Sequence, residues 1–140
     1  MSLETDLVAY LKSLPAITGI LGSSSSISPW PVEQNPVFPY LTYFRVSNKT
    51  VNSMTSGSSG LVRTVLQFDC WARRRIETWD LADELRKALL GFKGVMGSTT
   101  IQNVVEVQMM DWYEEEDQVA RRTLRLGIWY CEDIISNIQP

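Results

Sequence analysis

The sequence contains no histidine. That absence excludes Ser-His-Asp and Cys-His catalysis, histidine general bases and every zinc site that needs an imidazole. Cysteine is scarce as well, with Cys70 and Cys131 alone. Two thiols make neither an all-cysteine zinc site nor a disulfide-dense scaffold. No apolar run approaches the roughly 20 residues that span a bilayer. The acidic start, Met-Ser-Leu-Glu-Thr-Asp, lacks the basic head and apolar stretch of a secretion signal. A soluble, intracellular product is expected, with no membrane partner. A net charge of −3 also lacks the cation excess that a general nucleic-acid binder needs to neutralise phosphates. No catalytic, cofactor-binding or metal-ligating residue is therefore assigned, and no cofactor is expected.

What is present suits an ordinary globular core. The 140 residues are one domain's worth, 44% of them hydrophobic and 21% charged, so a single domain over residues 1–140 is expected. Five tryptophans are many for this length. Each is either core filling or an anchor at an interface, where aromatics are enriched.

Ser2 is placed to cap a helix carrying Leu3, Leu7, Leu11 and Leu14 at helical spacing, with Glu4 and Asp6 in its first turn. Pro15 ends it, and residues 16–21 read as a further short turn closed by Gly22. Four prolines between residues 27 and 39 exclude a helix and a central strand there, and leave room for a short edge strand over residues 27–30. Residues 40–46 are aromatic and β-branched, which predicts a strand. Residues 47–60 are polar, carry turn signals and show no periodicity, which predicts a long flexible loop. Residues 61–72 alternate, with Val62, Leu66, Phe68 and Cys70 on one side and Arg63, Gln67 and Asp69 on the other. A helix over about 76–90 follows, then strands over 100–113 and 118–131. In the first of these, Ile101, Val105, Val107 and Met109 are expected on one face. These elements predict an α+β fold: an antiparallel sheet of about four or five strands with two main helices packed on one face.

The second face of that sheet would carry Arg63, Gln67, Asp69, Gln102, Glu106, Gln108, Thr123 and Arg125. Such a face either meets bulk water or lines a solvent-filled channel when copies form a ring. Two charge clusters stand out. Arg73, Arg74 and Arg75 precede a helix, where cations oppose the macrodipole and invite an anionic partner. Glu114, Glu115, Glu116 and Asp117 read as a solvated hairpin turn; the other reading is a small metal-dependent hydrolase using Glu114, Glu116 or Asp117. Gly91, Gly94 and Gly97 follow a helix and precede a strand, the reverse of a dinucleotide fingerprint.

Several segments together resemble a known family. They are Asn35-Pro36-Val37-Phe38-Pro39-Tyr40 leading into a strand, and Val65-Leu66-Gln67-Phe68-Asp69-Cys70-Trp71-Ala72 running into a helix with Leu81-Ala82-Asp83-Glu84-Leu85-Arg86. Asp111-Trp112-Tyr113-Glu114 and a last strand ending Ile128-Trp129-Tyr130 complete the set. In this order they resemble the tail-completion, or tail-to-head joining, proteins of long-tailed bacteriophages and phage-like gene transfer particles, over about residues 3–133. The resemblance implies a structural virion protein without catalytic residues. It would form a hexameric ring at the head-proximal end of the tail, terminate the tube and dock the head connector, with DNA passing through without specific binding. A head-side connector of the same particle is the neighbouring reading. Under this resemblance Arg73, Arg74, Arg75, Glu114, Glu115, Glu116 and Asp117, together with Trp30 and Met54, become candidates for subunit or partner contact. Arg63, Gln67, Asp69, Glu106, Gln108 and Arg125 become candidates for the lumen.

Overall fold

A computed structural model describes residues 3–23, 26–31, 36–53 and 57–131. Three helices, α1 (Leu3–Lys12), α2 (Pro15–Leu21) and α3 (Arg75–Leu89), accompany six strands. The strands are β1 (Ile27–Pro29), β2 (Tyr40–Ser53), β3 (Gly57–Ala72), β4 (Gly94–Met96), β5 (Thr99–Glu114) and β6 (Val119–Cys131). They form one mixed sheet in the order β1-β2-β3-β6-β5-β4, curled into a half-barrel. β1 joins β2 in parallel and every other pairing is antiparallel.

The connection from β3 through α3 to β5 leaves a gap that β6 fills, a split β-α-β arrangement. α3 lies against β3 and β6, α2 against α3, and α1 against α2 and β4. Leu81, Leu85 and Leu89 of α3 meet Leu66, Phe68, Leu124 and Leu126 in a core that also takes Leu3, Leu7 and Leu11. The four-residue leucine spacing of α1 and α3 thus does what an amphipathic helix must, burying one stripe. Pro15 sits in the first turn of α2, where its missing N–H costs nothing, and Gly22 closes that helix in the left-handed conformation (φ 80°).

Four expectations need correction. The sheet is mixed rather than antiparallel throughout, because the short edge strand β1, expected at residues 27–30, pairs with β2 in parallel; and it has six strands rather than four or five, because the short β4 adds to the other edge. The helices are three, not two, since the turn after Pro15 is a helix in its own right. Residues 47–53 and 57–60 are strand, not loop: β2 and β3 form a hairpin whose ladder continues to Ser53↔Gly57. Once the apolar stem between residues 40 and 72 sets the register, backbone hydrogen bonds carry the pairing into polar sequence that has no periodicity of its own. Lastly, β5 does not alternate simply. Its register slips between Ile101 and Asn103 and again between Glu106 and Gln108. Each bulge turns the following residues to the opposite face. Ile101, Val104 and Met109 therefore share the helix side, opposite Tyr130, Ile128 and Leu124, whereas Val105 pairs with Gly127 on the other side. Ser2, the chain between residues 23 and 26 at 24–25, and the tail after Cys131 lie outside the described residues.

One polar residue anchors the helix side. Asp6 is buried and accepts hydrogen bonds from Thr99 Oγ1 (2.5 Å) and Ser98 Oγ (3.0 Å). The Thr99 hydroxyl, above all, holds its carboxyl below the usual range against the opposing effect of burial. Gly97 carries φ 61°, and a Cβ there would overlap the Asp6 carboxylate, so only glycine lets the β4–β5 turn close onto α1. The first-turn position of Asp6 suggested a dipole partner; its larger role is this tie between distant segments.

Candidate assembly surface

The side of the sheet away from α3 is built in rows. Tyr40, Trp71, Arg121 and Trp112 lie side by side; Thr42, Asp69, Thr123 and Met110 form the next row; Phe44, Gln67, Arg125 and Gln108 the third. The middle rows are not open to water. Thr42, Gln67, Asp69 and Thr123 are buried by the curl of the sheet and its flanking side chains.

Burial on this scale requires partners, and each is present. Arg125 Nε donates to Gln67 Oε1 (2.9 Å), and Gln67 Nε2 donates to Asp69 Oδ2 (3.1 Å). Thr123 Oγ1 donates to Asp69 Oδ1 (2.6 Å) and accepts from Trp112 Nε1 (3.1 Å). Trp71 Nε1 donates to Thr42 Oγ1 (2.9 Å). Among the described residues no buried side-chain nitrogen or oxygen lacks a partner.

The first row opens into an aromatic end. Trp71 stacks between Trp30 (5.7 Å, 6°) and Tyr40 (5.6 Å, 9°). The Arg121 guanidinium stands over both Trp71 (5.0 Å) and Trp112 (4.9 Å). An open cleft of about 300 Å³ lies beside them, lined also by Tyr113, Glu114 and Val119. Trp30 is 47% and Trp112 48% exposed, so this end offers large apolar surface rather than hiding it.

The two charge clusters meet at the same end. Arg73 stands over the Phe38 ring (4.2 Å), and its Nη1 donates to the Asp117 carbonyl oxygen. Arg75 stands over the Tyr113 ring (5.1 Å), and Arg74 is exposed. Aromatic faces thus draw two of the three cations away from the α3 N-terminus, which relieves the unfavourable dipole contact. Glu114 closes β5, and Glu115, Glu116 and Asp117 form the exposed turn to β6. A hydrogen bond with the Asp117 carboxyl, reinforced by repulsion between the two, raises the Glu114 carboxyl above its ordinary range. Among the described residues no three histidine, cysteine, aspartate or glutamate side chains converge as a metal site would require.

The lumen candidates separate. Gln67, Asp69, Gln108 and Arg125 share one face, and Arg63 lies further along it, over the Trp129 ring (5.1 Å). Glu106 does not join them. It sits opposite Leu126, and Arg86 of α3 donates to it through Nε (2.6 Å). The bulge after Glu106 is the reason, since it reverses the facing of the residues beyond it. Gln67 and Asp69 are on the expected face but buried, so they cannot touch a channel's contents. Met54 lies outside the described residues. Sequence reading missed Arg121, Trp71 and Trp112 as a unit. The register that brings them side by side depends on the β5 bulges, which leave no composition signal. Cys70 is buried and its thiol is pushed up by desolvation; Cys131 is exposed, with the Gln102 amide 3.3 Å from its sulfur.

The family model described as tail completion protein gp17 matches residues 5–131. No curated protein sequence matches the chain. Among solved structures, a chain from the virion of a native gene transfer agent particle has a similar fold. Its TM-score is 0.76 at 11% identity, over 93% of this chain and 95% of that one. No helix among the described residues is long and apolar enough to cross a membrane.

Proposed function

The chain belongs to the tail completion protein gp17 family, and from that membership we propose that it is a structural protein of a phage-like tail. In this reading one domain forms a ring, hexameric when complete, at the head-proximal end of the tail. The ring terminates the tail tube and joins it to the head connector. It works by assembly-coupled binding, without turnover. DNA passes through the lumen without specific binding, in keeping with a chain of net charge −3.

The family match across residues 5–131 is the observation that carries this reading. The aromatic end supports it, because exposed tryptophans beside arginines are the side chains that anchor protein interfaces. Arg74 and the exposed turn from Glu115 to Asp117 remain the charged members of the proposed contact surface, with Arg73 already committed to Asp117 within its own chain. On the proposed lumen face, Gln108, Arg125 and Arg63 are the members that reach the surface.

Deletion of the gene is the test. Filled heads and unjoined tails should accumulate, and normal infectious particles from the deletion would overturn the assignment. Electron microscopy of a labelled chain on unjoined precursors locates it: label at the tail end fits this reading, and label on the head vertex makes it the head-side connector instead.

A further inference from the structure

The sheet has two long open edges. On the side away from β3, β1 covers β2 only from Leu41 to Tyr43, so β2 is unpaired from Phe44 onward among the described residues. On the side away from β6, β4 covers β5 only from Thr99 to Ile101, and the Gly91 N–H takes the Val104 carbonyl. From Glu106 to Glu114 no strand lies beside β5 among the described residues. An unpaired edge of this length is a template for another strand.

We propose that these two edges join neighbouring copies of this chain: the open edge of β2 in one copy pairs with the open edge of β5 in the next. The proposal rests on the ring reading and names its contact. Four observations carry it. First, polarity fits. β2, β3, β6 and β5 alternate in direction, so β2 and β5 run oppositely. Rotation about a ring axis preserves that relation, and every junction is then antiparallel like the sheet itself.

Second, charge is compatible. Over residues 44–53, β2 carries Arg45 and Lys49 and no acid; over residues 106–114, β5 carries Glu106, Asp111 and Glu114 and no base. Arg45, Glu106 and Asp111 are paired in their own chain with Glu4, Arg86 and Arg122, which leaves Lys49 and Glu114 to face a neighbour. Third, exposed apolar side chains gather on these edges: Val107, Met109, Trp112 and Tyr113 on β5 and Val46 on β2. Fourth, the open stretches lie towards opposite ends of the sheet. β2 is free from the level of Gln67 towards Gly57, and β5 from the level of Leu66 towards Ala72. Pairing them sets each copy at a stagger to the last, which tilted strands in a closed barrel require. The half-barrel of one chain then becomes a segment of a larger one.

Disulfide trapping tests this. In a Cys131→Ser background, with Cys70 buried, the pair Lys49→Cys and Met110→Cys is oxidised mildly, alongside Lys49→Cys with Gln108→Cys and with Trp112→Cys as alternative registers. Within one chain these positions are separated by three strand spacings, about 14 Å, beyond disulfide reach. A bond is therefore a bond between copies. The expected result is loss of the monomer band to a ladder of covalent multimers in one register. Purified tails containing the variant chains, yet yielding only monomer in all three registers, overturn the edge pairing and leave the tail reading intact. Tails from which even the wild-type chain is absent overturn the tail reading. In that case oxidation of concentrated purified protein decides the pairing alone, with a ladder supporting it and monomer only overturning it.

Discussion

On the helix side of β3, Val62, Leu66, Phe68 and Cys70 are buried against leucines of α3 and β6. On the other side of the same strand, Gln67 and Asp69 are nearly as buried but sit in a hydrogen-bonded chain from Arg125 to Trp112. The first side gains from area removed from water, which is insensitive to geometry in detail. The second gains little net from each hydrogen bond but loses heavily if one partner goes missing. It therefore specifies a particular register of β3, β6 and β5. The aliphatic side tells which face is in; the polar side holds the neighbouring residues of the aromatic end where they are.

Four substitutions probe the difference between the two faces, in decreasing order of effect. Phe68→Ala should destabilise the fold by about 3–5 kcal/mol, read as a lower denaturant midpoint, because it opens a cavity where the side chain is fully buried. A loss under about 1 kcal/mol would mean that the helix side is not the main source of stability.

Asp6→Asn should cost about 1.5–3 kcal/mol at neutral pH, since it weakens charge-assisted hydrogen bonds from Thr99 and Ser98. The Asp6 carboxyl is held below its ordinary range in the folded chain. Its contribution is thus complete above the unfolded value of about 4 and is lost as pH falls through the lower folded value. The gap between wild type and variant should narrow at acid pH. A constant gap down to pH of about 2 would contradict this account.

Asp69→Ala should cost about 1–3 kcal/mol, because Thr123 and Gln67 lose their acceptor in a buried place. If it costs as much as Phe68→Ala, the distinction drawn between the two faces disappears. Arg121→Ala should be mildest, about 1 kcal/mol for two partly exposed cation–π contacts, with a shift in tryptophan emission as Trp71 and Trp112 lose their shared cation. An unchanged emission spectrum would show that the stack does not depend on Arg121.

Much of the architecture was legible in residues whose neighbours are local. The stripe of α3, the strand from residue 61 to 72 and the stop at Pro15 all follow from spacing and backbone chemistry within one element. The site was legible only in pieces. Arg73 and Asp117 stood out as charges, yet their meeting in one chain depends on the β5–β6 turn folding back beside the start of α3. Glu106 read as sharing a sheet face with Gln67 because strict alternation was assumed across a bulge. Residues 47–53 and 57–60 read as loop because their strand character comes from their pairing partner.

The sequence by itself determined the absences and the family. No imidazole means no imidazole chemistry, whatever the fold, and the ordered segments from residue 35 to 130 suffice for kinship. Tertiary structure alone decided which side chains meet. A single extra residue in β5 reverses a face, and a sheet that curls hides polar groups that alternation would leave wet. Both effects depend on pairing between strands distant in sequence, which no single strand encodes.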